Sequence, residues 1–237
     1  MKTKNINGKI VKVGAKLVGV HFVGADLSKL DLHNVDFTNA DLRAADLTNA
    51  DLRGANLTGA DLTKTHLRRA DLRGVEFNGA NLTGADLIEA NLTGANLRDI
   101  KLYGAKLIGA NLTGADLQGA NLIGVDLYNA NLSKADLSNA SLNEAILREA
   151  DLYNADFYNA NLSDADLRQA NLYSATLAHT NLTGADFRWA DLTGADLYSA
   201  NLYEADFTEA TLDYADINEA VLTDTKISKK QIDATIH

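Results

Sequence analysis

Apolar residues recur at every fifth position along almost the whole chain. The pattern is plainest in residues 105–124, which read Ala-Lys-Leu-Ile-Gly, Ala-Asn-Leu-Thr-Gly, Ala-Asp-Leu-Gln-Gly and Ala-Asn-Leu-Ile-Gly. A period of five suits neither regular structure. On a helix each successive Leu would rotate by about 140°, so no apolar stripe would form. In a flat strand five is odd, and consecutive Leu side chains would fall on opposite faces. The spacing is satisfied if each unit is a short extended piece followed by a corner. Ala and Leu then point inward, the Asp or Asn between them and the residue after Leu point outward, and the fifth residue makes the bend. Stacked units of this kind form a solenoid.

The register holds without a slip over residues 15–229, or 43 units. Its central position is always Leu, Phe or Ile, and all six Phe (Phe22, Phe37, Phe77, Phe157, Phe187 and Phe207) fall there. The position two before it is Ala in 34 units. The larger Val20, Leu30 and Val35 imply a different core cross-section near the N-terminal end. The corner excludes Val, Ile and Thr and takes 15 of the 17 Gly, which fits a turn where β-branched residues strain and a positive φ is sometimes needed. Residues 1–14 depart from the template, with Lys12 where Leu is required. They are expected to form an extended cap that covers the core with Ile10, Val11 and Val13. At the other end Ser228 and Gln231 have the spacing of a capping box, which predicts a short helical cap over residues 228–237.

Composition adds exclusions. The chain has no Cys, so a disulfide framework and a thiolate metal site are ruled out. It has no Pro, which leaves every backbone N–H available for bonds between coils. Lys12, Lys16 and His21 interrupt the one apolar patch near the start. We therefore expect no export signal and no membrane span, and a cytoplasmic protein.

The recurring Ala-(Asp/Asn)-Leu-X-X unit resembles the pentapeptide repeat family, over about nine tenths of the chain. The resemblance implies an all-β fold, a right-handed quadrilateral parallel β-helix with twenty residues per coil; period five alone gives neither the four sides nor the hand. The 43 units would then make about eleven coils in a rod roughly 50 Å long at ~4.8 Å per coil.

With twenty residues per coil, residues n and n+20 stack, and the chain can be searched in columns. The five His share no column, and with no Cys a transition-metal site is not expected. One column sets His179 beside Ser199 with Glu219 next, but on a convex rod such a trio lacks a cleft and an oxyanion hole, so no enzyme activity, cofactor or small-molecule substrate is expected. The many Asp and Asn read as side chains that bond nearby backbone, although stacked trios such as Asp166, Asp186 and Asp206 repel modestly.

Charge is uneven. Residues 1–118 carry a net +2 and residues 119–237 a net −12. The acidic half also holds seven of the eight Tyr and the only Trp, at outward positions. Tyr, Trp and Arg carry most interface energy. One outward column runs Tyr128, Arg148, Arg168, Arg188, with Trp189 beside the last, and it is the first candidate for a protein-interaction surface. Tyr153 and Tyr173 on the neighbouring face are the second. Three stacked guanidinium groups need compensating acids, and Asp166, Asp186 and Glu149 are placed to make this strip a neutralised surface ladder instead.

Two functions follow. The first is a non-enzymatic, monomeric scaffold that binds a regulatory protein. Length and unbroken register are similar to a cyanobacterial member of the family, which implies a role in heterocyst differentiation. The second is mimicry of DNA toward gyrase, a property of some members of the family. The acidic half supports it; Arg148, Arg168 and Arg188 within that half, and a polar C-terminal end, count against it. Direct nucleic-acid binding is not expected in either case.

Overall fold

A computed structural model describes residues 4–6 and 8–236. The remaining residues of the two expected caps, 1–3, Asn7 and His237, lie outside the described residues.

The unit of residues 115–119 shows how the chain satisfies itself. Ala115 N–H donates to Leu112 O (2.9 Å), closing a turn in the same coil. Asp116 N–H donates to Ala95 O in one neighbouring coil (3.0 Å), while Leu117 N–H and Gly119 N–H donate to Asp136 O (2.7 Å) and Ser138 O (3.0 Å) in the other. The fifth donor, Gln118 N–H, goes to the Asp116 side chain (Oδ1, 3.2 Å). Every N–H of the unit is bonded, and the Asp supplies the one acceptor that the coil-to-coil bonds leave out. The same n to n+2 bond recurs, for instance from Thr58 N to Asn56 Oδ1 and from Tyr158 N to Asp156 Oδ1. This is why the position prefers Asp or Asn.

Parallel pairing of residue n with n+20 runs from Lys16 with Asp36 to Asp216 with Ile236, so twenty residues and four corners make one coil. Ala and Leu columns are buried along the rod, with Leu117 0% exposed, and only Ala25, Ala220 and Leu222 toward the ends are partly buried. Phe187 and Phe207 stack as expected of residues one coil apart, 4.7 Å between centroids and 4° between planes. Near the start, Phe22 and Phe37 meet edge-on at 6.4 Å.

Three expectations change. First, positive φ is universal at the corners: every fifth residue from 14 to 224 has it, including Ala44 (53°), Trp189 (61°) and Tyr214 (62°). With φ positive at the third turn residue alone, the pattern is that of a type II turn. Second, the first residues form an antiparallel hairpin, β1 (Lys4–Ile6) with β2 (Lys9–Val11). Strand alternation turns Val11 inward (1% exposed) and so sends Ile10 outward (61%); Ile6 packs on the core in its place. Third, the turn geometry starts before the Leu pattern does. Ala15 N–H already bonds Lys12 O (3.1 Å) with Gly14 at φ 61°, because the bend depends on its corner residue and not on Leu.

At the far end, helix α1 (Lys229–Asp233) has Ser228 as N-cap in a complete capping box with Gln231. Gln231 Nε2 also donates to Phe207 O (2.6 Å) and Ala210 O (2.9 Å), carbonyls of the last full coil. Beyond the helix Tyr214 N–H bonds Ala234 O, and Ile236 pairs with Asp216. No helix among the described residues is long and apolar enough to cross a membrane.

Candidate protein-interaction face

The column of Tyr128, Arg148, Arg168 and Arg188 is assembled by the coil, one residue per turn of the rod, but its three arginines are not equivalent. Arg168 lies two residues after Asp166 and folds back on it, with Nε to Oδ1 at 2.8 Å and Nη2 to Oδ2 at 2.6 Å. Arg188 does the same with Asp186 at 2.8 and 2.6 Å. Arg168 Nε is also 3.6 Å from Asp186 in the next coil. The fork geometry of guanidinium on carboxylate favours both charged forms. Bonding from Arg168 holds the Asp166 carboxyl below its usual range, and Asp166 and Asp186 raise the two guanidinium groups above theirs. This part of the strip is a neutralised ladder of alternating sign.

The same fold-back occurs wherever Arg follows Asp by two residues, at Arg43 on Asp41, Arg53 on Asp51 and Arg73 on Asp71. Where that Asp is missing, Arg reaches into the next coil. Arg68, after His66, contacts Asp86 at 2.8 Å, and Arg98, after Asn96, contacts Asp116 at 2.6 Å. Arg148 follows Ile146, and its corresponding acid in the next coil is Asp166, already held by Arg168. Its nearest carboxylate contact is Glu149 at 3.9 Å, and its guanidinium lies over the Tyr128 ring, 5.0 Å from the centroid. Arg148 Nε is buried and has no hydrogen-bond partner among the described residues. Tyr128 in turn donates its hydroxyl to Glu149 (2.9 Å).

Trp189 sits at a corner, 55% exposed, with the Arg188 guanidinium 5.6 Å from its ring centroid. On the neighbouring face Tyr153 and Tyr173 stack at 5.8 Å and 18° and stay exposed. One aromatic group escaped the sequence reading. His179 is held edge-on between Tyr158 (5.4 Å) and Tyr198 (5.7 Å), because Ala178 leaves a gap between those two Tyr in their column. Ser199 donates its hydroxyl to Glu219 (3.1 Å) and not to the His179 ring, which is held between the two Tyr, so the three do not form a Ser–His pair backed by the carboxylate.

Asp31, His33 and Asp51 bring three possible ligand atoms within 4.8 Å. Arg53 already forks onto both oxygens of Asp51 (2.8 and 2.6 Å), and His33 Nδ1 is 2.6 Å from Asp31. A dication would have to displace a resident guanidinium, so the donor set is poorly suited to one.

What these faces define is a rigid rod whose outward columns present fixed aromatic and guanidinium groups. The chain belongs to the pentapeptide repeats family, eight copies of which match between residues 13 and 224. The family fold is a right-handed β-helix. Among solved structures the chain is similar to HetL, a pentapeptide repeat protein involved in heterocyst differentiation regulation from Nostoc sp. strain PCC 7120. They share 34% identity over 93% of this chain and 92% of that one, with a TM-score of 0.56. It also matches Rfr23 from the cyanobacterium Cyanothece 51142 (31% identity, 55% of this chain, 90% of that one, TM-score 0.24). A third match is QnrB1, a plasmid-mediated fluoroquinolone resistance protein (18%, 91% and 93%, TM-score 0.34). The last two superpose too poorly to support any argument. No curated protein matches the chain.

Proposed function

We propose that the chain is a non-enzymatic scaffold that acts in the cytoplasm, as a monomer, in the regulation of heterocyst differentiation. It does so by binding a regulatory protein on the face of Tyr128, Arg148, Arg168, Arg188 and Trp189. The similarity to HetL supports the process. The observation that carries the binding face is Trp189. It is 55% exposed, and the Arg188 guanidinium lies 5.6 Å from its ring centroid. An exposed, rigidly held indole next to a guanidinium is suited to burial in a protein interface.

The test is isothermal calorimetry with the protein captured from a cyanobacterial extract, comparing wild type with Arg168→Ala/Trp189→Ala. Both residues lie outside the core, so the thermal melt should change little, while affinity should fall by more than about 2 kcal/mol. Equal affinities would move the binding face to Tyr153 and Tyr173. The net −12 of residues 119–237 supports a second reading, mimicry of DNA toward gyrase. Inhibition or protection in a gyrase supercoiling assay would favour it over the regulatory reading.

A further inference from the structure

Within the proposed face, and resting on that reading, we propose that Arg148 is the anchor that captures a single Asp or Glu side chain flanked by aliphatic residues in the partner protein. Of the three stacked arginines it alone lacks a forked carboxylate, for a reason visible in one residue. Ile146 stands where the column otherwise places Asp126 and Asp166. The guanidinium is kept in place by the Tyr128 ring, whose hydroxyl is itself fixed on Glu149. Its side chain is 42% accessible although Nε is buried, so an incoming carboxylate takes the two terminal nitrogens end-on. Ile146, 41% exposed between Asp126 and Asp166 in its column, borders the cation with apolar surface and asks for an aliphatic neighbour on the partner.

The surrounding half is strongly acidic, which disfavours a polyacidic run. Screening over about 8 Å at physiological salt leaves a single carboxylate answering mainly to the charges nearest it. Arg168 and Arg188 are already paired, so the contact differs from binding by a general cationic strip.

The variant that tests this keeps Arg148 and supplies its missing partner. Ile146→Asp restores the column's usual residue, and Arg148 should then fold onto it as Arg168 folds onto Asp166. The probe is the peptide acetyl-Leu-Glu-Leu-amide against its neutral isostere acetyl-Leu-Gln-Leu-amide, read by NMR at the arginine Nε–Hε resonances. The Glu peptide should shift Arg148 saturably and the Gln peptide should not. Ile146→Asp should weaken the response at least tenfold, while Ile146→Asn, which accepts the backbone N–H without adding a charge, should stay within about twofold of wild type. Absence of a saturable shift, equal response to both peptides, an unaffected Ile146→Asp, or an equal loss in Ile146→Asn would each overturn the assignment. A captured partner that binds wild type and Ile146→Asp equally would defeat the anchor and leave the scaffold reading standing. An extract from which wild type captures nothing would defeat the scaffold reading itself.

Discussion

Truncating Leu117 to Ala tests whether the core is a stack of pinned layers. Leu117 is 0% exposed, and in its column it lies between Leu97 and Leu137, both likewise buried. Losing three carbons forfeits about 2.4 kcal/mol of transfer free energy at ~0.8 kcal/mol per methylene. The rest of the cost depends on how far the site can collapse. Here the backbone on either side is tied down: Asp116 N–H to Ala95 O at 3.0 Å, Leu117 N–H to Asp136 O at 2.7 Å and Gly119 N–H to Ser138 O at 3.0 Å. A layer fixed above and below cannot close the gap, so the total should be about 3–5 kcal/mol. Leu212, 2% exposed, lies in the last coils beside the partly buried Ile232 of α1, where the end can shift. Its truncation should cost nearer 2 kcal/mol. Urea denaturation followed by far-UV circular dichroism measures both. Because each coil touches only its neighbours, a broadened transition in Leu117→Ala would mean that the rod has divided at the defect. Curves for Leu117→Ala that overlay wild type, or a larger loss in Leu212→Ala, would refute the pinned-layer argument.

Acid should loosen the rod through its Asp–Arg forks. Bonding from Arg43 lowers the Asp41 carboxyl to about 2, against an unfolded value of about 3.9. The stability from this depressed pKa is therefore complete above about pH 4 and is lost as pH falls toward 2. Thermal melts of Asp41→Asn should show a shallower decline than wild type across that interval, and identical slopes would count against the fork. Among corners, Gly114→Ala should cost about 1 kcal/mol, since a Cβ there meets nothing within 4 Å and only the left-handed φ is penalised. Gly119→Ala should cost more, its Cβ falling 2.6 Å from Asp99 Oδ1, and adding Asp99→Ala should recover the difference in chemical denaturation. Removing residues 229–237 takes away the Gln231 bonds to Phe207 and Ala210 and opens the last coil, so the truncated protein should self-associate; a monomer by light scattering at high concentration would refute a capping role for α1.

Period five, read as residues, already specified the core column, and local spacing the Ser228–Gln231 box, whereas the contact of Phe187 with Phe207 needed the twenty-residue coil that the family resemblance implied. The Asp–X–Arg forks were equally legible: two residues of separation bring Arg168 onto Asp166 whatever the distant chain does. The outward turn of Ile10 was not legible, since it follows from which strand of the hairpin meets the core. Nor was the positive φ at every corner, Trp189 and Tyr214 included, because propensity argues against such residues there and the inward facing of four successive sides overrides it. The difference between Arg148 and its two neighbours needed both levels. The sequence puts Ile146 where an Asp would pair with it, but only the coil shows that Asp166, the substitute twenty residues beyond Ile146, is already held by Arg168. Bonds within one unit are decided by local geometry, whereas the fate of an unpaired side chain is decided by competition among residues that only the tertiary structure makes neighbours.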